Sequence, residues 1–233
     1  MQLFLVRHGE TRSNVIGALD TAVPGAPLDG LGLRQAAAIP AALAAIPGGD
    51  DIHAIAVSTL LRTQQTAAPL AAALGLEASI RDGLEEIQAG DLELSSDPHD
   101  QQLYTTTAWA WADGDLDVRM PGGETGHEFF TRYDTAIDAL TRGAHGTVLM
   151  VGHGAAIRTW VAVRCDNTDG SGFAGSHRLP NTALVRLSRT RRGTWHLEGW
   201  DGAPFGGSAL GDEAAIDPTG RQLGLPAGLP DEG

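Results

Sequence analysis

The chain reads as an α/β protein, a three-layer α/β/α sandwich around a mostly parallel sheet. Three observations predict this. Short apolar runs of strand length alternate with longer segments whose apolar residues recur at helical spacing. Such alternation makes a largely parallel sheet with helices on both faces, because each crossover must bury its own apolar stripe. The 233 residues are enough to bury roughly 70–75% of the extended chain's surface, so one core needs no staples.

The elements follow in order. Gln2–Val6 is a short apolar run ended by a polar turn and predicts a buried strand. Leu31–Ile46 is alanine-rich and predicts a helix, with Pro40 as a kink or break. Ile52–Val57 is a second strand, Leu60–Leu74 a helix, and Ala78–Ile80 a short third strand. Thr105–Ala112 and Glu124–Arg142 read as helices, the second entered from the turn Pro121-Gly122-Gly123. Thr147–Val151 is a strand and Ala155–Arg164 a helix. Thr182–Ser188 and Thr194–Trp200 alternate as a closing pair of strands. Residues 1–201 therefore form one domain, with a short cap segment at about 91–123. From 202 to 233 the chain is rich in Gly, Pro and Asp, lacks any period, and predicts an irregular or mobile tail.

Composition narrows the function. A formal charge of −13 argues against nucleic acid and against an anionic membrane as partners, since both require a basic surface. No 18-residue apolar run and no basic-led leader is readable, and the single Cys165 rules out an internal disulfide. These features predict a cytoplasmic protein. A homo-oligomer is compatible with the sequence but not specified by it. All sixteen basic side chains are arginines. Any phosphate site must therefore use guanidinium forks, backbone amides or histidines.

Ligands of open α/β sheets gather at the carboxyl ends of the strands. The first strand ends on Arg7-His8-Gly9-Glu10-Thr11, the second runs into Ser58-Thr59-Leu60-Leu61-Arg62, and the fourth ends on Gly152-His153-Gly154. Two arginines and two histidines at one sheet edge outline a phosphate site, because guanidinium groups bind phosphate oxygens through paired hydrogen bonds.

This order of motifs, RHGET after a strand, an arginine about fifty residues on, and HG after a late strand, resembles the histidine phosphatase superfamily in its phosphoglycerate mutase-like branch. The resemblance spans about residues 2–190. Asn14 matches the family's phosphate-contacting asparagine. Leu28 to Ala36 is similar to LTxxGxxQA, and Ser58 to Ala67 to SPLxRAxQTA, with Thr59 and Thr63 departing. Gly123-Glu124-Thr125 with Arg132 mirrors a GES segment and its arginine. Val148 to Gly154 differs from VVSHG by Gly152. Leu84 to Glu93 resembles LxEIxxGxxE, in which the acid lies four residues before the glycine. That spacing selects Glu86 and leaves Glu85 as its exposed neighbour, although Ala89, Leu92 and Leu94 depart from the pattern.

The resemblance implies a phosphoglycerate mutase-like fold and a metal-independent phosphomonoesterase without cofactor, acting on a small phosphorylated metabolite. His8 would form a phosphohistidine. Arg7, Arg62, His153, Asn14 and the Gly154 amide would hold the phosphoryl oxygens, and Glu86 would act as general acid and base. Gly9 would let the backbone pass close to the phosphate. A phosphoglycerate mutase is the alternative, and a catalytically silent phosphate- or protein-binding relative is a third reading. Mutases of the family carry a long charged insertion after the acid. Here Ser95–Asp117 is short and has no arginine or lysine, which favours hydrolysis.

Other features are set aside. Gly170 to Gly175 fits GxGxxG but follows no strand, and reads as a flexible loop near the mouth of the site. Trp109, Trp111 and Tyr104 either line a substrate pocket or pack a cap helix, and packing is the preferred reading. His127, His145, His177 and His196 read as structural or surface residues.

Overall fold

A computed structural model describes residues 1–221. Six strands form one mixed sheet in the order β3-β2-β4-β1-β5-β6. They are β1 (Gln2–Arg7), β2 (Ile52–Val57), β3 (Ala78–Ile80), β4 (Thr147–Gly152), β5 (Leu184–Arg189) and β6 (Trp195–Trp200). The first four are mutually parallel, and β5 and β6 add an antiparallel edge beyond β1. Among the described residues, the helices are α1 (Arg12–Ile16), α2 (Gly30–Leu43), α3 (Leu61–Leu74), α4 (Pro98–Ala112), α5 (Gly126–Thr141), α6 (Gly154–Arg164) and α7 (Ser171–Ser176).

The period-2 geometry of β1 sorts its side chains between two cores. Leu3 and Leu5 join the core built with Tyr104, Phe129, Tyr133 and Trp160 from α4, α5 and α6. Phe4 and Val6 join the other, with Ile39, Leu43, Ala67 and Leu70 from α2 and α3. A strand buried on both sides cannot alternate apolar with polar residues. That is why its sequence is a continuous apolar run.

Helix starts follow local capping chemistry. Asp29 accepts hydrogen bonds from the Leu31 and Gly32 amides and opens α2, which passes through Pro40 and ends at Leu43. Thr125 and Glu128 form a capping box, so α5 begins at Gly126. The Asp97 side chain caps α4 ahead of Pro98, seven residues before the helix expected from Thr105. The polar stretch Pro98–Gln102 carries no apolar period to announce it, although Asp-Pro at its head is a start signal. Two helices are additional. α1 is a single capped turn, and α7 replaces the loop expected from the GxGxxG match. Phe173 anchors α7 by stacking on His177 with ring centroids 3.9 Å apart and by meeting the edge of Trp200.

Residues 202 to 221 contain one short 3₁₀ turn, Ser208–Leu210, and return across the carboxyl edge of the sheet. Ile216 and Asp217 donate backbone hydrogen bonds to Val15 and Asn14, and Gly220 accepts one from Leu179. The remainder of the expected tail lies outside the described residues. Among the described residues, no helix is long and apolar enough to cross a membrane.

Candidate active site

Three adjacent parallel strands, β2, β4 and β1, end at one edge, where Arg7 pairs in register with Gly152. His8, His153 and the start of α3 therefore converge. The rings of His8 and His153 lie 5.3 Å apart, centroid to centroid. His8 is 3% exposed, and its Nδ1 lies 2.7 Å from the Gly9 carbonyl oxygen. A carbonyl can only accept, so Nδ1 carries the proton and Nε2 is left as an unprotonated nucleophile. Burial, then Arg62, then Arg7 hold the His8 pKa well below the usual imidazole value. The ring is thus neutral at neutral pH. His153 is held low in the same way, by burial and then Arg62. Its Nε2 lies 2.8 Å from Ser58 Oγ, while its buried Nδ1 has no partner.

Arg62 enters from the first turn of α3. Its NH2 donates to the Asp20 carbonyl, NH1 lies 3.8 Å from Asp20 Oδ1, and its buried Nε and NH1 make no hydrogen bond. Two donor nitrogens without a hydrogen-bond acceptor at 3% exposure can receive the oxygens of an anion, because an unsatisfied buried donor is costly.

Glu86 reaches the same cavity from the loop after β3. Its Oε1 accepts from the Ile87 and Ala156 amides, and its Oε2 accepts from Ala155. Ala155 and Ala156 lie in the first turn of α6, whose dipole favours a carboxylate there. Three of four acceptor sites are taken, so the proton of the acid form belongs on Oε2. Burial nevertheless raises the Glu86 pKa above the usual carboxylate value, against these three amides and Arg62. Glu85 is not the exposed neighbour expected. It accepts from Thr59 Oγ1 and the Gly83 amide at the wall of an adjoining cavity.

Arg7 is fully buried, and its Nε is left without a hydrogen-bond partner. Its NH1 and NH2 donate to the two oxygens of Asp217, at 2.6 and 2.5 Å, and NH1 also reaches the Leu179 carbonyl. A tail residue lies where the spacing of the motifs carries no information. Asn14 sits nearby: its Oδ1 accepts from Thr11 and Asn181, and its Nδ2 lies 3.5 Å from Asp217 Oδ1. Gly154 heads α6. A Cβ there would stand 2.7 Å from Thr219 Oγ1 and 3.1 Å from Arg7 Nε, so the tail requires a glycine. Gly9 is required by packing, since a Cβ there would meet the Gly32 carbonyl of α2 at 2.8 Å.

The space between His8, Arg62, Glu86, Tyr104 and Thr219 is about 20 Å³, and it adjoins an open cavity of about 620 Å³ that shares Thr21 and Glu86. Tyr104 lines the inner space, with its hydroxyl on the Ile87 carbonyl. Trp109 and Trp111 line neither space. Trp111 is buried against Phe129 and Trp109 lies beneath Arg158, so both pack the cap. Sequence reasoning missed Asp217, Asn181, which holds the His8 carbonyl, and the orienting role of Ser58. Ser58 lay inside a quoted motif and could have been found. Among the described residues, no three His, Cys, Asp or Glu side chains are grouped to hold a metal ion.

The model of the histidine phosphatase superfamily (branch 1) matches residues 3–202. The chain belongs to that superfamily. Among similar proteins, PE-PGRS family protein PE_PGRS11 of Mycobacterium tuberculosis is 36% identical over 91% of this chain, which spans only 38% of that protein's length. A Yersinia pestis protein named Probable phosphoglycerate mutase GpmB is 31% identical over 95% of this chain and its own full length. The fold is shared with a mycobacterial glucosyl-3-phosphoglycerate phosphatase solved with VO3, at TM-score 0.70 and 23% identity, covering 85% of this chain and 98% of that one. The alpha-ribazole phosphatase of Shigella flexneri matches at TM-score 0.65 and 25% identity, over 86% and 96% of the two chains. The superfamily thus carries phosphatase and mutase names on one fold.

Proposed function

We propose that this chain is a metal-independent phosphomonoesterase that hydrolyses a small phosphorylated metabolite through a phosphohistidine on His8. The observation that carries this reading is the His8 ring, whose Nδ1 is tied to the Gly9 carbonyl so that a neutral Nε2 remains beside the unpartnered donors of Arg62. Phosphoryl transfer passes through a loose transition state, so positioning and charge stabilisation do most of the work. Nε2 attacks phosphorus, the bond to the ester oxygen breaks, and Glu86 Oε2 gives its proton to the departing alkoxide. Water then attacks the phosphohistidine, Glu86 takes a proton from it, and the P–N bond breaks to release inorganic phosphate. Arg62, His153, Asn14 and the Gly154 amide hold the oxygens. Arg7, engaged by Asp217, acts through its charge, which helps keep His8 neutral.

The name of the Yersinia pestis relative makes phosphoglycerate mutase the second reading, in which the phosphoryl group returns to substrate before water arrives. Both are tested together. With p-nitrophenyl phosphate in EDTA, wild type releases phosphate and His8→Ala does not; equal rates would overturn the enzymatic reading. Isomerisation of 3-phosphoglycerate much faster than phosphate release would replace the phosphatase by the mutase.

A further inference from the structure

The open cavity beyond Glu86 is where the alcohol part of an ester must lie when its phosphorus sits at His8, because the two spaces share Thr21 and Glu86. Arg62 of the inner space, 3% exposed and with Nε and NH1 free of hydrogen bonds, marks the phosphate end, so the cavity has a defined direction. Its walls carry Asp82, Glu85 and Glu93 besides Glu86, and among the described residues that line it Arg132 is the one basic side chain.

Arg132 has nothing to offer a ligand. Its Nε and NH2 bind both oxygens of the buried Glu124, NH1 donates to the Gly83 and Glu85 carbonyls, and NH2 also donates to the Glu86 carbonyl. All five guanidinium protons are used, and Glu124 neutralises the charge. Glu93 accepts from the Thr21 amide and hydroxyl and the Ala22 amide, and Glu85 accepts from Thr59 and the Gly83 amide. The partners of Glu93 are neutral, whereas Glu85 Oε2 also faces Arg132 NH1 at 3.9 Å; Arg132 thus stands against two carboxylates, Glu85 and Glu124, and the lining keeps an excess of negative charge. Asp82 is exposed at the rim.

We propose that this cavity selects phosphate esters whose alcohol portion is uncharged or cationic, a polyol or an amino alcohol, and rejects those whose alcohol portion bears a carboxylate. The selection rests on the phosphatase reading only for the direction of the bound ester. A ligand carboxylate would meet fixed like charges and no free donor of positive charge, which costs affinity. An ammonium or hydroxyl group would meet acceptors.

The test compares O-phosphoethanolamine, glycerol 3-phosphate and 3-phosphoglycerate, which have similar size and differ in charge. The kcat/KM of wild type falls at least about tenfold from glycerol 3-phosphate to 3-phosphoglycerate, counting both phosphate release and isomerisation. Phosphoethanolamine equals or exceeds glycerol 3-phosphate. Gln88→Arg, which puts a cation on the cavity wall, narrows the gap by raising the 3-phosphoglycerate value at least about tenfold. The same ranking is read without turnover as binding of the three esters to His8→Ala by calorimetry. Equal binding of 3-phosphoglycerate and glycerol 3-phosphate there overturns the charge selection, whether or not the wild type is active. Loss of p-nitrophenyl phosphatase activity with the ranking intact overturns only the phosphatase reading.

Discussion

At the scale of single residues, the pair Glu85-Glu86 shows how two adjacent identical side chains receive different roles. Glu86 is buried at the head of α6, and burial keeps its pKa above the usual value, as the proposed general acid requires. Glu85 is fixed by Thr59 and the Gly83 amide outside the phosphate pocket. Glu86→Gln should therefore lower kcat by about 10²–10⁴, while Glu85→Gln changes it little on p-nitrophenyl phosphate. Steady-state kinetics of the two variants decides between them. The basic limb of the wild-type pH profile belongs to the Glu86 carboxyl and should vanish in Glu86→Gln, where nothing remains to deprotonate.

At the scale of elements, motif residues that look catalytic in a string turn out to join elements. Thr66 of α3 accepts the Gly9 amide, Gln35 of α2 accepts the Glu10 amide, and Gln65 accepts the Leu28 amide. The first two pin the loop that carries His8 to two helices, and the third ties the approach to α2 onto α3. The bidentate Glu124–Arg132 pair likewise clamps α5 to the loop that carries Glu86. The C-terminal strap is tied down by Asp217 on Arg7. Removing one partner of a buried ion pair typically costs about 3–5 kcal/mol, because a bare charge stays behind. Asp217→Ala should accordingly lower the melting temperature. Added inorganic phosphate should restore more of it in the variant than it adds to wild type, since it replaces the missing counter-charge. Thermal melts with and without phosphate provide the check.

At the scale of the whole molecule, stability should depend on pH through a group that the chemistry does not use. Glu10 is buried after β1, and burial, Asp29 and the strap residue Asp212 push its carboxyl up to about 8. The folded state thus keeps a proton that the unfolded chain releases near the ordinary carboxylate pKa. Where the folded state binds more protons, stability falls as pH rises. The window runs from about 4.5 to about 8. Below about 6.5 the lowered pKa values of His8 and His153 act with the opposite sign, so wild type should lose stability from about 6.5 to about 8, and Glu10→Gln, which never ionises, should show a flatter curve there. Urea denaturation at several pH values measures both.

What the sequence determined by itself was the set of local and ordered features. Strand runs buried on both faces, helices with a 3.6 period, and RHGET, LLRTQQTA and VGHG in their order all write their geometry into neighbouring residues. Their meeting at one edge follows from parallel topology. His8, Arg62, His153 and Glu86 could be named from that order, and they share one pocket or touch its walls. Tertiary structure alone decided what faces them. Asp217 lies 210 residues from Arg7 in a segment without period or motif, so only chain return could bring it to the guanidinium. The loss of every free proton on Arg132, and with it the negative character of the outer cavity, was equally hidden. A residue's charge is visible in a sequence, but whether a partner has already taken its hydrogen bonds depends on contacts between distant segments.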